Sequence, residues 1–390
     1  MKKYLSLILI AIAMISVCSG CTEYDEVKSE EVSVLKIIKP NNIPDFSEIV
    51  ASFNEANTDI QVTFVDAPSS TDERHNFYVS ALSGKDKTID IYWMNDAWIE
   101  EFAQKNYLIP IEDDITIDNS RYIVDAERQF SYNDSLYALP VGTDMDAIFY
   151  RSDKISELPD NWNGIIDLCR RSDFGVSRNL GLEQFDTVDM INDIVQIKES
   201  MGYSYADTLN LYKDIIKEYS GEGTDILDSI TLFKTGNTAI YMGKISLWNE
   251  FRSDTSSVKD SVNVAMLPAS PDGSPVNNIR SYGLAINSNS ENKEEAIKFL
   301  DFMNSKAQQR SLARETSVMP IIEELFSDDM VLEEMSYMEK TKEIIKNSVV
   351  SNSNSISGED LKTLGNALTK FFNNEETANN TGEILNDLLG

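Results

Sequence analysis

The sequence predicts an α/β fold of mainly parallel sheets flanked by helices, divided into two units. Three observations lead there. From Val32 onward, short β-branched and aromatic runs alternate with helical stripes, strand then helix then strand. The roughly 370 residues beyond an apolar leader suggest two domains or one large one. A hydrophobic content of 42% is ample for real cores.

The elements follow in order. Val32 to Ile38 reads as a buried strand, and Asp45 to Phe53 places Phe46, Ile49, Val50 and Phe53 on one helical face. Ile60 to Val65 alternates as a strand, Thr71 to Ser83 is helical, and Ile89 to Met94 is a third strand. Such a series implies right-handed crossovers between parallel strands. Ala97 to Lys105 reads as a short helix and Leu108 to Ile111 as extended chain. A second unit starts near Thr143, with helices at Trp162 to Arg170, Val188 to Met201 and Leu209 to Tyr219. Its short strands are Gly175 to Ser177, Thr238 to Met242 and Val262 to Met266. Leu284 to Ile286 is a strand, Glu291 to Lys306 one helix, and two final helices follow a polar loop at Ser351 to Ser357.

The N-terminus has its own logic. Lys2 and Lys3 precede an apolar run from Tyr4 to Val17, then Ser19, Gly20 and Cys21, which is the order of a secretory signal. The run falls short of the about twenty apolar residues that a membrane span needs. Cleavage before Cys21 is therefore expected, with 1–20 as signal peptide and the acidic, unpatterned 21–31 as a tether. Ser19 and Gly20 before Cys21 resemble a bacterial lipobox, whose cysteine is acylated, although Cys18 stands where leucine is usual. Ordinary secretion is the alternative.

Composition excludes several functions. A formal charge of −31 opposes nucleic acid or an anionic lipid surface as partner. With Cys18 removed and Cys21 acylated, only Cys169 remains, so no intrachain disulfide forms, and Cys169 reads as a buried structural thiol. His75 is the sole histidine, which leaves little basis for a histidine metal site or a Ser-His-Asp triad. No metal and no cofactor are expected.

Four separated blocks resemble a known family. They are DIYWMNDAWIEEFAQKNYLIPI at 90–111, NDSLYALPVGTDMDAIFYR at 133–151, LFKTGNTAIYMG at 232–243, and the stretch from Tyr282 to Pro320 with its SENKEEA helix. Together, in this order, they are similar to the extracellular solute-binding proteins of carbohydrate ABC importers, the group of maltose-binding protein. The resemblance implies two α/β lobes with a ligand cleft between them, a periplasmic-binding-protein-like fold. It places the first lobe at 32–142 and 283–318, and the second at 143–282 and 319–390.

Sugars need planar amides or carboxylates and aromatic plates. Trp93, Asp96 and Trp98 lie around the carboxyl end of the 89–94 strand, and Trp93 and Asp96 fall where the resemblance implies sugar contact. Core packing for Trp93 and helix capping for Asp96 are the alternatives. Asp144 lies at the first crossing, with Asp146 two residues on. Glu183 and Phe185 resemble a segment supplying a carboxylate and a plate, with a plain helix-leading loop as the alternative. Tyr241, Trp248, Arg280 and Tyr282 complete the candidate set, each with a packing or surface-charge alternative. Ser246 falls where the resemblance would put a stacking tryptophan, which counts against maltodextrin as ligand.

The implied function is capture of a sugar, most simply an oligosaccharide, by a monomeric lipid-anchored protein that delivers it to ABC permease subunits outside the cytoplasmic membrane. It is not expected to be an enzyme. Within the same fold, a peptide, a polyamine or an iron complex would be other cargo. A surface glycosidase using carboxylates such as Asp144 and Glu183 is the rival class.

Overall fold

Two separate sheets organise the chain in the computed structural model, which describes residues 32–171, 176–178, 187–216, 226–269, 279–347 and 358–389. Cys21, the tether, Glu183, Phe185 and the 351–357 loop lie outside these residues.

Among the described residues the strands are β1 (Ser33–Pro40), β2 (Ile60–Ala67), β3 (Ile91–Asn95), β4 (Ser131–Tyr132), β5 (Ser135–Leu136), β6 (Ala138–Asp144), β7 (Asp146–Arg151), β8 (Val176–Arg178), β9 (Ile240–Lys244), β10 (Val262–Met266) and β11 (Arg280–Ile286). The first sheet has the order β2-β1-β3-β11-β6, and the second β10-β7-β9-β8. β4 and β5 form a small hairpin.

Strand directions agree with mainly parallel sheets, each carrying one reversed strand: β11 runs against the other four strands of the first sheet, and β7 against the other three of the second. β1 pairs in parallel with β2 and β3, joined by helices Ser47–Ala56 and Thr71–Ser83, as the crossover argument requires. β11 is antiparallel to both β3 and β6 because it enters the first sheet from the opposite end, after an excursion through the second. In the second sheet β8 and β9 are parallel neighbours, and β7 is antiparallel to both β9 and β10. Here β6 and β7 are separated by Met145 alone, so the chain changes sheets without a helix to reverse it.

Each sheet has its own apolar core. Around the first, Phe53, Phe299, Leu300 and Trp93 are fully buried. Behind the second, Ile194, Leu209, Tyr212 and Leu368 pack together, and helices Gly358–Phe372 and Ala378–Leu389 contribute Leu364 and Leu385. A further cluster of Met145, Phe149, Phe251 and Met319 lies where the chain crosses.

Several local expectations shift. The single helix at 291–306 is two, Lys293–Met303 and Lys306–Thr316, because the Ser305 side chain accepts a hydrogen bond from the Gln308 N–H and starts a new helix. The 209–219 helix begins at Tyr205, capped by Ser204, and closes at Ile215. Leu108 to Ile111, read as extended chain, makes an isolated bridge from Leu108 to Asn287 and backbone hydrogen bonds to the Ile286 and Leu136 carbonyls. No described helix is long and apolar enough to cross a membrane.

Candidate functional site

The strand ends of the two sheets face a common cavity. Pro40 ends β1, Asn95 ends β3, Asp144 ends β6 and Arg280 opens the antiparallel β11, so all four lie at one edge of the first sheet. Arg178 and Lys244 end β8 and β9, and Asp146 opens the antiparallel β7, giving the matching edge of the second. All seven line a cavity of about 960 Å³ counted out to solvent, with Trp93, Tyr241, Tyr282 and Arg74 also in its wall. Open α/β sheets carry ligands at such edges.

Local chemistry fixes the walls. Lys39, buried at the end of β1, donates to the Ile43 carbonyl at 2.8 Å and pairs with Asp45 at 2.8 Å and Asp66 at 2.9 Å, which pins the loop carrying Asn42 and Ile43. Ser70 caps the helix Thr71–Ser83 through the Glu73 N–H, setting Arg74 in its first turn. Tyr241 packs among Phe149, Phe233 and Phe251, and its ring lies so close over Gly243 that a Cβ there would come within 2.7 Å of it. Burial pushes the Tyr241 phenol up to about 12.

Asp144 joins the two sheets. Its carboxylate accepts from the Ser246 hydroxyl at 2.6 Å, the Ser246 N–H at 3.2 Å and the Met145 N–H at 2.9 Å. Burial raises it to about 6, against the pull of Lys244 and these donors. Asp96 behaves alike: burial lifts it to about 6, although Arg280 and the N–H groups of Ala97 and Ser281 favour its charge. Asp189 goes the other way. Burial would raise it, but Lys244 at 2.8 Å and Arg280 at 3.7 Å hold it down at about 2.

A buried ionic chain leads inward from the cavity. Lys244 also meets Asp146 at 3.1 Å, Arg178 lies 3.7 Å from Asp146, and the Arg178 Nε sits 2.8 Å from Asp193. Tyr212 donates to Asp193 at 2.9 Å. Burial pushes Asp193 upward even beside Arg178.

These shifts fix the sign of a pH dependence. A carboxyl whose folded pKa exceeds its unfolded value takes up protons on folding, so Asp96 and Asp144 make stability rise as pH falls from about 6 toward 3.8. Asp189 contributes stability that is lost only below 3.8, toward 2. The thermal midpoint should therefore climb from about pH 8 to about pH 5 and drop again in stronger acid. Melting curves should also show a smaller climb in Asp144→Asn; a midpoint that falls steadily below pH 7 would contradict these assignments.

Of the sequence-derived candidates, Trp93, Asp144, Tyr241, Arg280 and Tyr282 meet at the cavity. Asp96 lies beside it, within the field of Arg280. Two tryptophans are elsewhere. Trp98 is 1% exposed in the first core, under the Arg74 guanidinium and against Tyr78 and Phe102. It offers no plate to the cavity because the 3-10 turn Asp96–Trp98 directs it into the sheet's own packing. Trp248 packs on Tyr337 and donates its indole N–H to the Glu334 carbonyl at 2.8 Å. Both are packing residues in this structure. Cys169 is buried.

The sequence reading missed Arg74, Asn95, Arg178, Asp189 and Lys244 as wall residues. One signal could have found two of them. Arg178 and Lys244 are cations placed directly at the carboxyl end of apolar strands, where a buried edge needs a reason for charge. Among the described residues, no group of three or more His, Cys, Asp or Glu is placed to hold a metal ion.

Similarity to known proteins agrees with this architecture. The chain is 21% identical over 318 residues to a probable ABC transporter-binding protein of Deinococcus radiodurans, covering 74% of this chain and 75% of that one. A maltotriose-binding protein of Pyrococcus abyssi is 24% identical over 151 residues, 38% of this chain and 32% of its own. Among solved structures, maltose-bound MalE3 of T. maritima superposes with a TM-score of 0.78 at 18% identity, covering 91% of this chain and 99% of that one. A solute-binding protein of Agrobacterium vitis with bound D-mannitol gives 0.72 at 17% identity, over 91% and 97%. These likenesses establish a two-lobed fold. The profile of the bacterial extracellular solute-binding proteins matches residues 39–310, most of the chain, and the protein belongs to that family.

Proposed function

We propose that the protein captures a sugar between its two lobes and delivers it to the permease of an ABC importer. One observation carries this reading. The cavity between the sheets sets the aromatic rings of Trp93, Tyr241 and Tyr282 beside Asn95, Asp144 and Arg280, the mixture of plates and planar polar groups that a sugar ring requires. Maltose and D-mannitol in the structural neighbours support it. The lobes we assign are 32–142 with 283–318 and 143–282 with 319–390.

Binding shifts an open and closed equilibrium toward the closed form, which docks on the permease. The protein acts as a monomer, and Cys21 carries the lipid that holds it outside the membrane after residues 1–20 are removed; mass spectrometry of the mature N-terminus would read lipid or a free thiol. No catalysis takes place. Titration calorimetry over a panel of mono- and oligosaccharides, with product analysis, should give saturable one-to-one binding without turnover. Release of sugar fragments would favour a hydrolase and overturn the reading.

A further inference from the structure

Arg74 is the anomaly in the cavity wall. It is 4% exposed, and its Nη1 donates to the carbonyls of Pro68 at 3.0 Å and Ser69 at 2.8 Å, with the guanidinium carbon 5.4 Å from the Trp98 ring. Its Nε is buried without a partner, and no carboxylate among the described residues pairs with it. The other wall cations are matched: Arg178 with Asp193, Lys244 with Asp146 and Asp189, Arg280 with Asp189. The nearby carboxylates are matched too, Asp144 by Ser246 and Met145, and Asp96 by backbone N–H groups and Arg280.

A buried guanidinium with no counter-charge is costly, and neutral hydroxyls hydrogen-bond it without cancelling that charge. Ser69, whose carbonyl accepts from Arg74, and Thr71, in the same helix turn, line the wall with it and are neutral. A second donor points the same way: the Trp93 Nε1, in the same wall, is buried with no acceptor. Unmet donors plus an unmet positive charge call for an acceptor-rich anion. In a chain of net charge −31, such a ligand is recognised by local pairing against the long-range field.

Resting on the sugar-capture reading, we infer that the ligand is an acidic saccharide whose anionic substituent pairs with Arg74. A uronic acid carboxylate and a sulfate ester share this chemistry. Calorimetry on the mature protein should compare uronic acid oligosaccharides with their carboxyl-reduced counterparts, and sulfated oligosaccharides with their desulfated counterparts. The acidic member of one series should bind at least about tenfold tighter, and that series identifies the anion. The preference should weaken with salt, vanish in Arg74→Gln and survive in Arg74→Lys, with melting curves confirming that both variants fold. Neutral members binding as tightly as the acidic ones would overturn the inference and leave sugar capture standing. Binding by no sugar of either series, with other sugars also silent, would overturn the capture reading itself.

Discussion

Arg178→Met should lower the unfolding free energy by about 3–5 kcal/mol, the usual cost of stripping one partner from a buried ionic group. Arg178 lines the cavity, is 5% exposed and ties Asp193 at 2.8 Å to Asp146 at 3.7 Å. Methionine keeps much of the volume, so the loss comes from charge. Among the described residues, Asp193 would keep the Tyr212 hydroxyl, 2.9 Å away, in an environment that already pushes its carboxyl upward. Urea unfolding monitored by circular dichroism would measure the change. Adding Asp193→Asn should recover part of it, since the stranded carboxylate is then gone. A loss below about 1 kcal/mol in Arg178→Met, the level of an exposed pair, would show that the ionic chain is not buried as described.

Asp144→Ala should weaken sugar binding by at least about tenfold, or about 1.4 kcal/mol. Asp144 ends β6 in the first sheet, whereas Ser246, which it holds through both backbone and hydroxyl, follows β9 in the second. Removing the carboxylate takes away a cavity group and also releases the bond that ties the end of the first sheet to the second. Asp144→Asn, able to accept from Ser246 but uncharged, should fall between. Calorimetric titration of the three proteins with one sugar orders them; equal affinities would place Asp144 outside the binding machinery.

Much of the fold was legible because its signals are local. The run of β1, β2 and β3 with two intervening helices follows from apolar periodicity, and the breaks near Thr143 and Tyr282 mark where the chain changes sheets. What periodicity cannot convey is strand direction at a crossing: Met145 alone separates β6 from β7, and no stripe in the sequence announces an antiparallel entry. The site divides the same way. Trp93 and Asp144 were visible as an aromatic at a strand end and a carboxylate at a crossing. Trp98 carried the same aromatic signal, yet one 3-10 turn decides which way an indole faces, and it faces the core. Asp189 illustrates the opposite failure. On its helix it is an ordinary surface acid, and only Lys244 and Arg280, 55 and 91 residues further on, bring it into the wall.

The central claim is that the sugar sits between the lobes, and the four tryptophans allow a direct test. Trp93 lines the cavity, whereas Trp98, Trp162 and Trp248 are buried in packing away from it. In a fluorescence titration with a bound sugar, the emission change should collapse in Trp93→Phe and persist in Trp162→Phe. An undiminished change in Trp93→Phe, at unaltered affinity, would put the ligand somewhere other than the cavity and contradict the account.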